Sequence, residues 1–350
     1  MEKIVIIGGG IAGLTCLNAL LDQQISPLLI EGGRIGSPKM CGEFLAPTAV
    51  NMLKQWEIGP IIRIQQANFY STYSHFNLRF QQEAGALMRS EAECGLSARA
   101  HKLGGRIHEN TRLIRITPPT KTQPYLLYLE SGEVIEALTA IFATGKFAQS
   151  HTQKISLPYC GIKLHVNEVI SPTTLEMYSD VGAYFGVVPV TRTKSNITCL
   201  IKHAEIAKRK DKHFLFELIK KFPELNTFLQ NINWGDVNWL TSPASDFTIK
   251  KLPVWSNAYW IGDAVTSFPP AIGYGFAHCV SSGLLAADFY LQKKPEIFSN
   301  IMRHEINKKF LLGKLMHHIL LRPFSTALVF PFLQSTPWFL NKCLKRLGYL

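Results

Sequence analysis

Residues 3–24, KIVIIGGGIAGLTCLNALLDQQ, decide the fold. The first five form a short apolar run rich in β-branched residues, which is how a strand buried on both faces of a parallel sheet reads. The run meets Gly8-Gly9-Gly10-Ile11-Ala12-Gly13 without a spacer, and LTCLNALLDQQ then carries apolar residues at helical spacing. A second apolar run, PLLIE, ends at Glu31, 18 residues after Gly13, and Gly32 follows it. Strand, glycine turn, helix and strand in that order make one βαβ unit of a doubly wound α/β domain. The physics suits a dinucleotide: Gly8 for the tight turn, Gly10 for backbone close to a pyrophosphate, Gly13 for close helix–strand packing. Free N–H groups at the helix start, around Ile11 and Ala12, face the phosphates. Glu31 stands where a carboxylate accepts hydrogen bonds from an adenosine ribose. The alternative is the same fold with an empty crevice.

The choice of dinucleotide rests on a second stretch, NAYWIGDAVTSFPPAIGYGFAHCVSSGLLAADFYL, at 257–291. A strand ends there in Gly262-Asp263, a loop with Pro270, Gly273, Tyr274 and Gly275 follows, and a helix of small residues begins near Phe276. Asp263 can accept a hydrogen bond from a ribityl hydroxyl, and glycines at a helix start let that helix end approach a flavin ring edge. Ala, Ser and Gly at 277, 281, 282, 283, 286 and 287 allow the helix to pack closely on the dinucleotide domain.

The pairing of the two stretches resembles the FAD-dependent monooxygenases of the para-hydroxybenzoate hydroxylase type and their relatives, the geranylgeranyl reductases and flavin halogenases. KMCGEFLAP (39–47), ATGKF (143–147), GIKLHV (161–166) and GAYFGVVPV (182–190) are similar to a bacterial subgroup of the same superfamily. The resemblance implies that the segment after the second strand runs along the pyrophosphate toward the flavin. Lys39 would then neutralise phosphate or reduced-flavin charge, and Cys41-Gly42 would make a close contact on the ring. For Cys41 a packing role stands beside a redox or substrate-contact role, and no resolving cysteine is near it in sequence. The resemblance places Arg89, at the start of a helix, by the ribityl or phosphate region, against the alternative of a solvated arginine. It places Leu113 by the adenine and Ala143-Thr144-Gly145 beside the cofactor. Hydroxylases carry Asp-Gly where this chain has Thr144-Gly145, which puts direct NADPH-coupled hydroxylation in doubt while leaving NAD(P)H a candidate reductant. The halogenase motif Trp-x-Trp-x-Ile-Pro is absent, with only Trp234 and Trp239 in NWGDVNWL, and this sets halogenation aside.

The expected architecture is a Rossmann-type FAD-binding domain interleaved with a mixed, mostly antiparallel substrate sheet, followed by a helical tail. The boundaries expected are 1–60, 86–150 and 251–300 for FAD, 61–85 and 151–250 for substrate, and 301–350 for the tail. IIRIQQANFYSTYSHFNLRF, AYFGVVPV and SNITCLIKH alternate like half-buried strands. MRSEAECGLSARAHKLGGRIHENTRLIRI reads as a helix followed by a strand, and KHFLFELIKKFPELNTFLQNI as an amphipathic helical stretch broken at Pro223 that covers the sheet. Lys163 and His165 share one side of their strand; facing the cavity they could bind an acidic or phenolic substrate or move a proton, and facing out they would be a solvated pair on an edge strand. Tyr274, between the late glycines, is the other catalytic candidate beside Cys41.

Seven scattered cysteines show no metal-ligand spacing, so no metal is expected, and they suit a reducing cytoplasm. The N-terminal apolar run does not read as a signal peptide. The net charge of +12 suits solubility or anionic partners, and no basic stripe interleaved with aromatics points to nucleic acid. From Arg303 onward there are eight Lys or Arg against one acidic residue, Glu305, among Leu, Phe and Trp. That tail could lie in a membrane interface on the cytoplasmic side, or pack back over the substrate cavity. The functional expectation is monooxygenation of an apolar, aromatic or isoprenoid-like small molecule. Saturation of a lipid double bond is the alternative, and a non-catalytic flavin carrier the alternative of another class.

Overall fold

The computed structural model describes residues 1–146, 156–208, 219–230, 232 and 237–349. One sheet holds β1 (Glu2–Ile7), β2 (Leu28–Ile30), β6 (Arg106–His108), β7 (Leu113–Thr117), β8 (Tyr125–Leu129), β9 (Val134–Phe142) and β15 (Ala258–Trp260). Its order is β6-β2-β1-β9-β8-β7, and β15 joins β9 beyond the end of β8. The strands β6, β2, β1, β9 and β15 are mutually parallel. Ile4–Ile7 are consecutively buried, because helices and loops cover both faces of the sheet there.

The second sheet holds β3 (Phe44–Leu45), β4 (Ile62–Ser71), β5 (His75–Ala86), β10 (Tyr159–Val166), β11 (Thr174–Asp180), β12 (Ala183–Pro189), β13 (Ser195–Lys202) and β14 (Trp239–Ala244). Its order is β14-β10-β13-β12-β11-β4-β5-β3, antiparallel except for β11 beside β4. The chain therefore passes between the sheets repeatedly, which is the interleaving expected from the sequence.

Helices α1 (Ile11–Asp22), α2 (Pro47–Gln55), α3 (Arg89–Lys102), α4 (His203–Lys208) and α5 (Pro223–Leu229) precede α6 (Gly275–Leu291). Then α7 (Pro295–Leu320), α8 (Pro323–Ser335) and α9 (Pro337–Leu347) form the tail. Pro295, Pro323 and Pro337 each sit at a helix start, where a missing N–H costs nothing. Small residues bring α6 onto α1: a Cβ on Gly283 would lie 2.6 Å from the Ala12 carbonyl oxygen.

The single strand read after α3 is two strands, since Asn110 adopts φ 52° between β6 and β7. They serve opposite ends of one sheet, β6 against β2 and β7 against β8. Pro223 starts α5. Ile219, Phe222, Leu225 and Leu229 pack in a separate cluster under β10–β13, so this part of the amphipathic stretch does cover the sheet; residues 209–218 lie outside the described ones, as does Trp234. No helix among the described residues is long and apolar enough to cross a membrane.

Candidate active site

A cavity of about 1240 Å³ runs from the loops at the ends of β1, β9 and β15 to the inner face of the second sheet and the tail helices. It exceeds a typical small-ligand pocket, roughly 300–1,000 Å³. Its wall gathers Gly8, Gly10, Ile11, Ala12, Lys39, Cys41, Gly42, Arg89, Ala143, Thr144, Gly145, Asp263, Pro270, Gly273, Gly275 and Phe276. Gly13, Glu31, Gly32, Leu113, Gly262 and Tyr274 do not line it.

The glycines divide by what an added side chain would meet. A Cβ on Gly8, at φ 112°, would sit 2.3 Å from the Ala143 oxygen, and one on Gly13 would sit 1.9 Å from the Gly8 oxygen. The fold itself needs these two. On Gly10 the nearest atom would be Arg89 Nη2 at 3.6 Å, and on Gly275 or Gly145 nothing lies within 4 Å. Gly275 and Gly145 face open space, Gly145 at φ 73°, whereas a methyl on Gly10 would make only ordinary contact with Arg89 and Glu93. Two buried hydroxyls on the cavity wall, Thr144 Oγ1 and Ser267 Oγ, have no hydrogen-bond partner among the described residues. Buried polar atoms are nearly always paired, so these call for a polar ligand.

Local bonds fix the rest of this end. Glu31 accepts from Gly9 N (2.6 Å) and Gly33 N (3.1 Å), holding the loop after β2 against the glycine turn. Arg89 Nε and Lys39 Nζ both donate to Glu93, at 2.9 and 3.0 Å, and the Glu93 side chain is fully buried. Arg89 is thus a built-in cation of the cavity wall rather than a solvated one. Lys250 donates to the backbone oxygens of Gly145, Lys146 and Asp263, stitching the loops after β9 and β15 together. Burial, opposed by the charge of Asp263, pulls its ammonium below the usual lysine range.

Cys41 lies on the wall, its carbonyl accepting from Asn196 Nδ2 at 3.1 Å. Burial pushes its thiol up, as it does that of Cys279 on the same wall. Both are thus held as thiols, which argues for packing. Cys279 stands 238 residues from Cys41 in the chain, and only the fold brings the two to one wall.

Beside Cys41 lies a buried polar network that no local sequence pattern marks. Glu43, at φ 58° and 1% exposed, accepts from Lys163 Nζ at 2.5 Å and pairs with His165 Nε2 at 2.6 Å. It also accepts from Arg89 N at 3.0 Å. Burial alone would push this carboxyl up, but the His165 hydrogen bond and the Lys163 charge outweigh it and hold the group below the usual carboxylate range. Strand β10 lies between β13 and β14, so Lys163 is not on an edge, while His165 stands one residue past the last β14 pair and is flanked by β13 alone. Their shared face points to the cavity side, where Glu43 rather than open cavity receives them.

Tyr274 is buried away from the wall, its hydroxyl 2.6 Å from Lys309 Nζ of α7. The tail packs against the site: Tyr349 donates to the Ile272 oxygen at 2.8 Å and stacks on Phe44 and Phe80. Of the two expectations for the tail, packing over the cavity is therefore what its inner face does, through Leu312, Met316, Leu333 and Leu344.

His317 of α7, 1% exposed, links the Tyr159 and Tyr184 hydroxyls at 3.0 and 3.1 Å. Burial, helped by His318, Lys202 and Lys314, pushes it down to about 4 from an ordinary 6.5. The unfolded chain therefore takes up this proton first. The stability is fully present above pH 6.5 and is lost as pH falls toward 4. At about 1.4 kcal/mol per unit, the loss by pH 4.5 is roughly 2–3 kcal/mol. Urea unfolding of the parent and His317→Gln at pH 7 and 4.5 checks this, and the variant should show the smaller pH-dependent loss.

No protein-family model matches the chain, and no curated protein matches it. Solved structures do. The chain is similar to the flavin-dependent brominase Bmp2, with TM-score 0.81 and 16% identity over 99% of this chain and 93% of that one. It is similar to a geranylgeranyl bacteriochlorophyll reductase-like protein from Thermoplasma acidophilum, at 0.74 and 17% over 94% and 90%. It is also similar to PqsL from Pseudomonas aeruginosa, described as a probable FAD-dependent monooxygenase, at 0.74 and 12% over 94% and 99%. At such identities the likeness establishes the fold, and that fold is the one the two glycine stretches implied. A brominase among these structures does not supply the halogenase motif that the sequence lacks.

Proposed function

We propose that the protein is an FAD-dependent oxidoreductase, and within that class a monooxygenase for an apolar, aromatic or isoprenoid-like small molecule. The carrying observation is one continuous cavity with two chemistries. One end has the glycine cradle, the Thr144 and Ser267 hydroxyls, unpaired among the described residues, and Arg89, and the other is walled by Phe69, Phe76, Leu78, Met177 and the tail. Three solved structures of this fold, one a brominase, one reductase-like and one described as a monooxygenase, support the flavin reading.

The residues at the polar end fit FAD. Gly10 and the N-terminus of α1 would take the pyrophosphate, Glu31 the adenosine ribose, Asp263 the ribityl chain, and Gly275 with Phe276 the ring edge. Bound there, FAD supplies the redox chemistry with dioxygen or a hydride. The chain's own part is to bind and orient the substrate against the ring, exclude water through the apolar wall and tail, and fix the loop at 37–43 through Glu43. Lys163 and His165 act in this reading through Glu43, setting charge beside Cys41, and NAD(P)H is the proposed reductant.

Saturation of a lipid double bond is the second reading, favoured by the length of the apolar wall contributed by α7, α8 and α9. The test is direct. The purified protein should carry a flavin absorbance that NADH or NADPH bleaches anaerobically. With apolar aromatic and isoprenoid compounds, isotopically labelled dioxygen should then enter a product. Reduced product with no label moves the assignment to the reductase, and no flavin even after added FAD removes both readings.

A further inference from the structure

The outer face of the tail carries a group of large exposed apolar side chains. Leu311, Leu315, Phe324, Leu328, Phe332 and Trp338 are 48–75% exposed, on three successive helices. Four of them, Leu315, Phe324, Leu328 and Phe332, also line the cavity, so the cavity reaches the surface in the middle of this patch. Contiguous apolar surface of this kind marks an interaction site. Its surroundings are basic: Arg322, Lys342, Lys345 and Arg346 are exposed, and the segment from Arg303 carries more than half of the chain's net charge of +12.

We infer that this face docks on an anionic membrane surface and that the cavity mouth opens into the lipid. The charge pattern selects the occupant. A second copy would bring one basic rim against another. A protein seated on the patch would seal the mouth, whereas a bilayer offers acidic headgroups to the rim and hydrocarbon to the apolar side chains. Leu311 and Trp338 do not line the cavity, so their exposure serves the surface and not the pocket wall. A lipid-soluble substrate would then pass from the bilayer to the flavin without crossing water; that last step rests on the flavin reading above, and the docking does not.

The experiment is flotation of the full-length protein with vesicles of phosphatidylcholine, with and without phosphatidylglycerol, at low and high salt. The expected result is at least about tenfold stronger binding to the anionic vesicles, weakened by salt, since each basic residue near such a surface adds to the attraction. Leu311→Glu with Trp338→Glu should reduce binding about tenfold or more, while the protein keeps its flavin spectrum and its far-ultraviolet dichroism. In the parent, brominated lipids should quench tryptophan emission, and Trp338→Phe should lose most of that quenching. No flotation with either composition, or flotation unchanged in the double variant, overturns the proposal. So does a dimer in light scattering that the double variant converts to monomer, because the patch is then a self-interface. A protein that floats but takes up no flavin even after FAD is added refutes only the flavin reading, and a flavin-loaded one that does not float refutes only the docking.

Discussion

Glu43→Leu is expected to lower the free energy of unfolding by about 3–5 kcal/mol, the cost of leaving a buried charge without its partner. Lys163 is 7% exposed, and its remaining acceptor among the described residues is the Lys39 oxygen at 3.4 Å. Leucine is unbranched at Cβ, as glutamate is, so the φ of 58° at this position costs both residues alike. Adding Lys163→Met should return most of the loss, because a buried ion pair replaced by apolar groups of similar volume is close to neutral. Urea titrations of the parent, both single variants and the double variant complete the cycle. A double variant no more stable than Glu43→Leu would mean that Glu43 acts mainly through Arg89 N and His165. The same set separates clamp from chemistry. Glu43→Leu should also lose cofactor, since Cys41 and Gly42 sit on the cavity wall two residues or fewer from it. If the double variant regains FAD and still turns over slowly, the buried charges themselves serve the reaction.

What could be read from the chain alone followed how far apart the partners stand. The first fingerprint is contiguous: strand, turn and helix are decided within 22 residues, and the late stretch is local in the same way. The two-residue alternation in GIKLHV put Lys163 and His165 on one face of β10 for the same reason. Their partner stood in a stretch already singled out, but 120 residues away, and an acid in a left-handed conformation carries no periodic signal. Lys250, Lys309 and Tyr349 escaped on the same ground, each a lone polar tip reaching backbone or hydroxyl from another element. The split of β6 from β7 was hidden because a turn of four residues between two apolar runs looks like one interrupted strand. The tail was ambiguous in sequence because both alternatives need apolar helices; its inner face covers the cavity, and its outer face is the one still to be explained by contact.

The second large effect separates glycines needed by the chain from glycines needed by a ligand. Gly13→Ala should leave little folded protein, because its Cβ would lie 1.9 Å from the Gly8 oxygen, and the backbone there has no room to yield. Gly10→Ala is a different case. Its Cβ would meet nothing nearer than 3.6 Å, and Gly10 precedes α1 with an extended backbone, φ −80° and ψ −177°, that alanine adopts freely. The variant should therefore fold with a melting temperature close to the parent's. Yet the added methyl would fill the space where the pyrophosphate must approach the N-terminus of α1. FAD affinity should fall at least tenfold, about 1.4 kcal/mol or more. Fluorescence titration of the apoprotein with FAD, alongside thermal denaturation without it, measures both terms. A Gly10→Ala protein that folds and binds FAD as the parent does would show that the dinucleotide does not lie along this turn. The assignment of Glu31, Asp263 and Gly275 to its other parts would then fall with it.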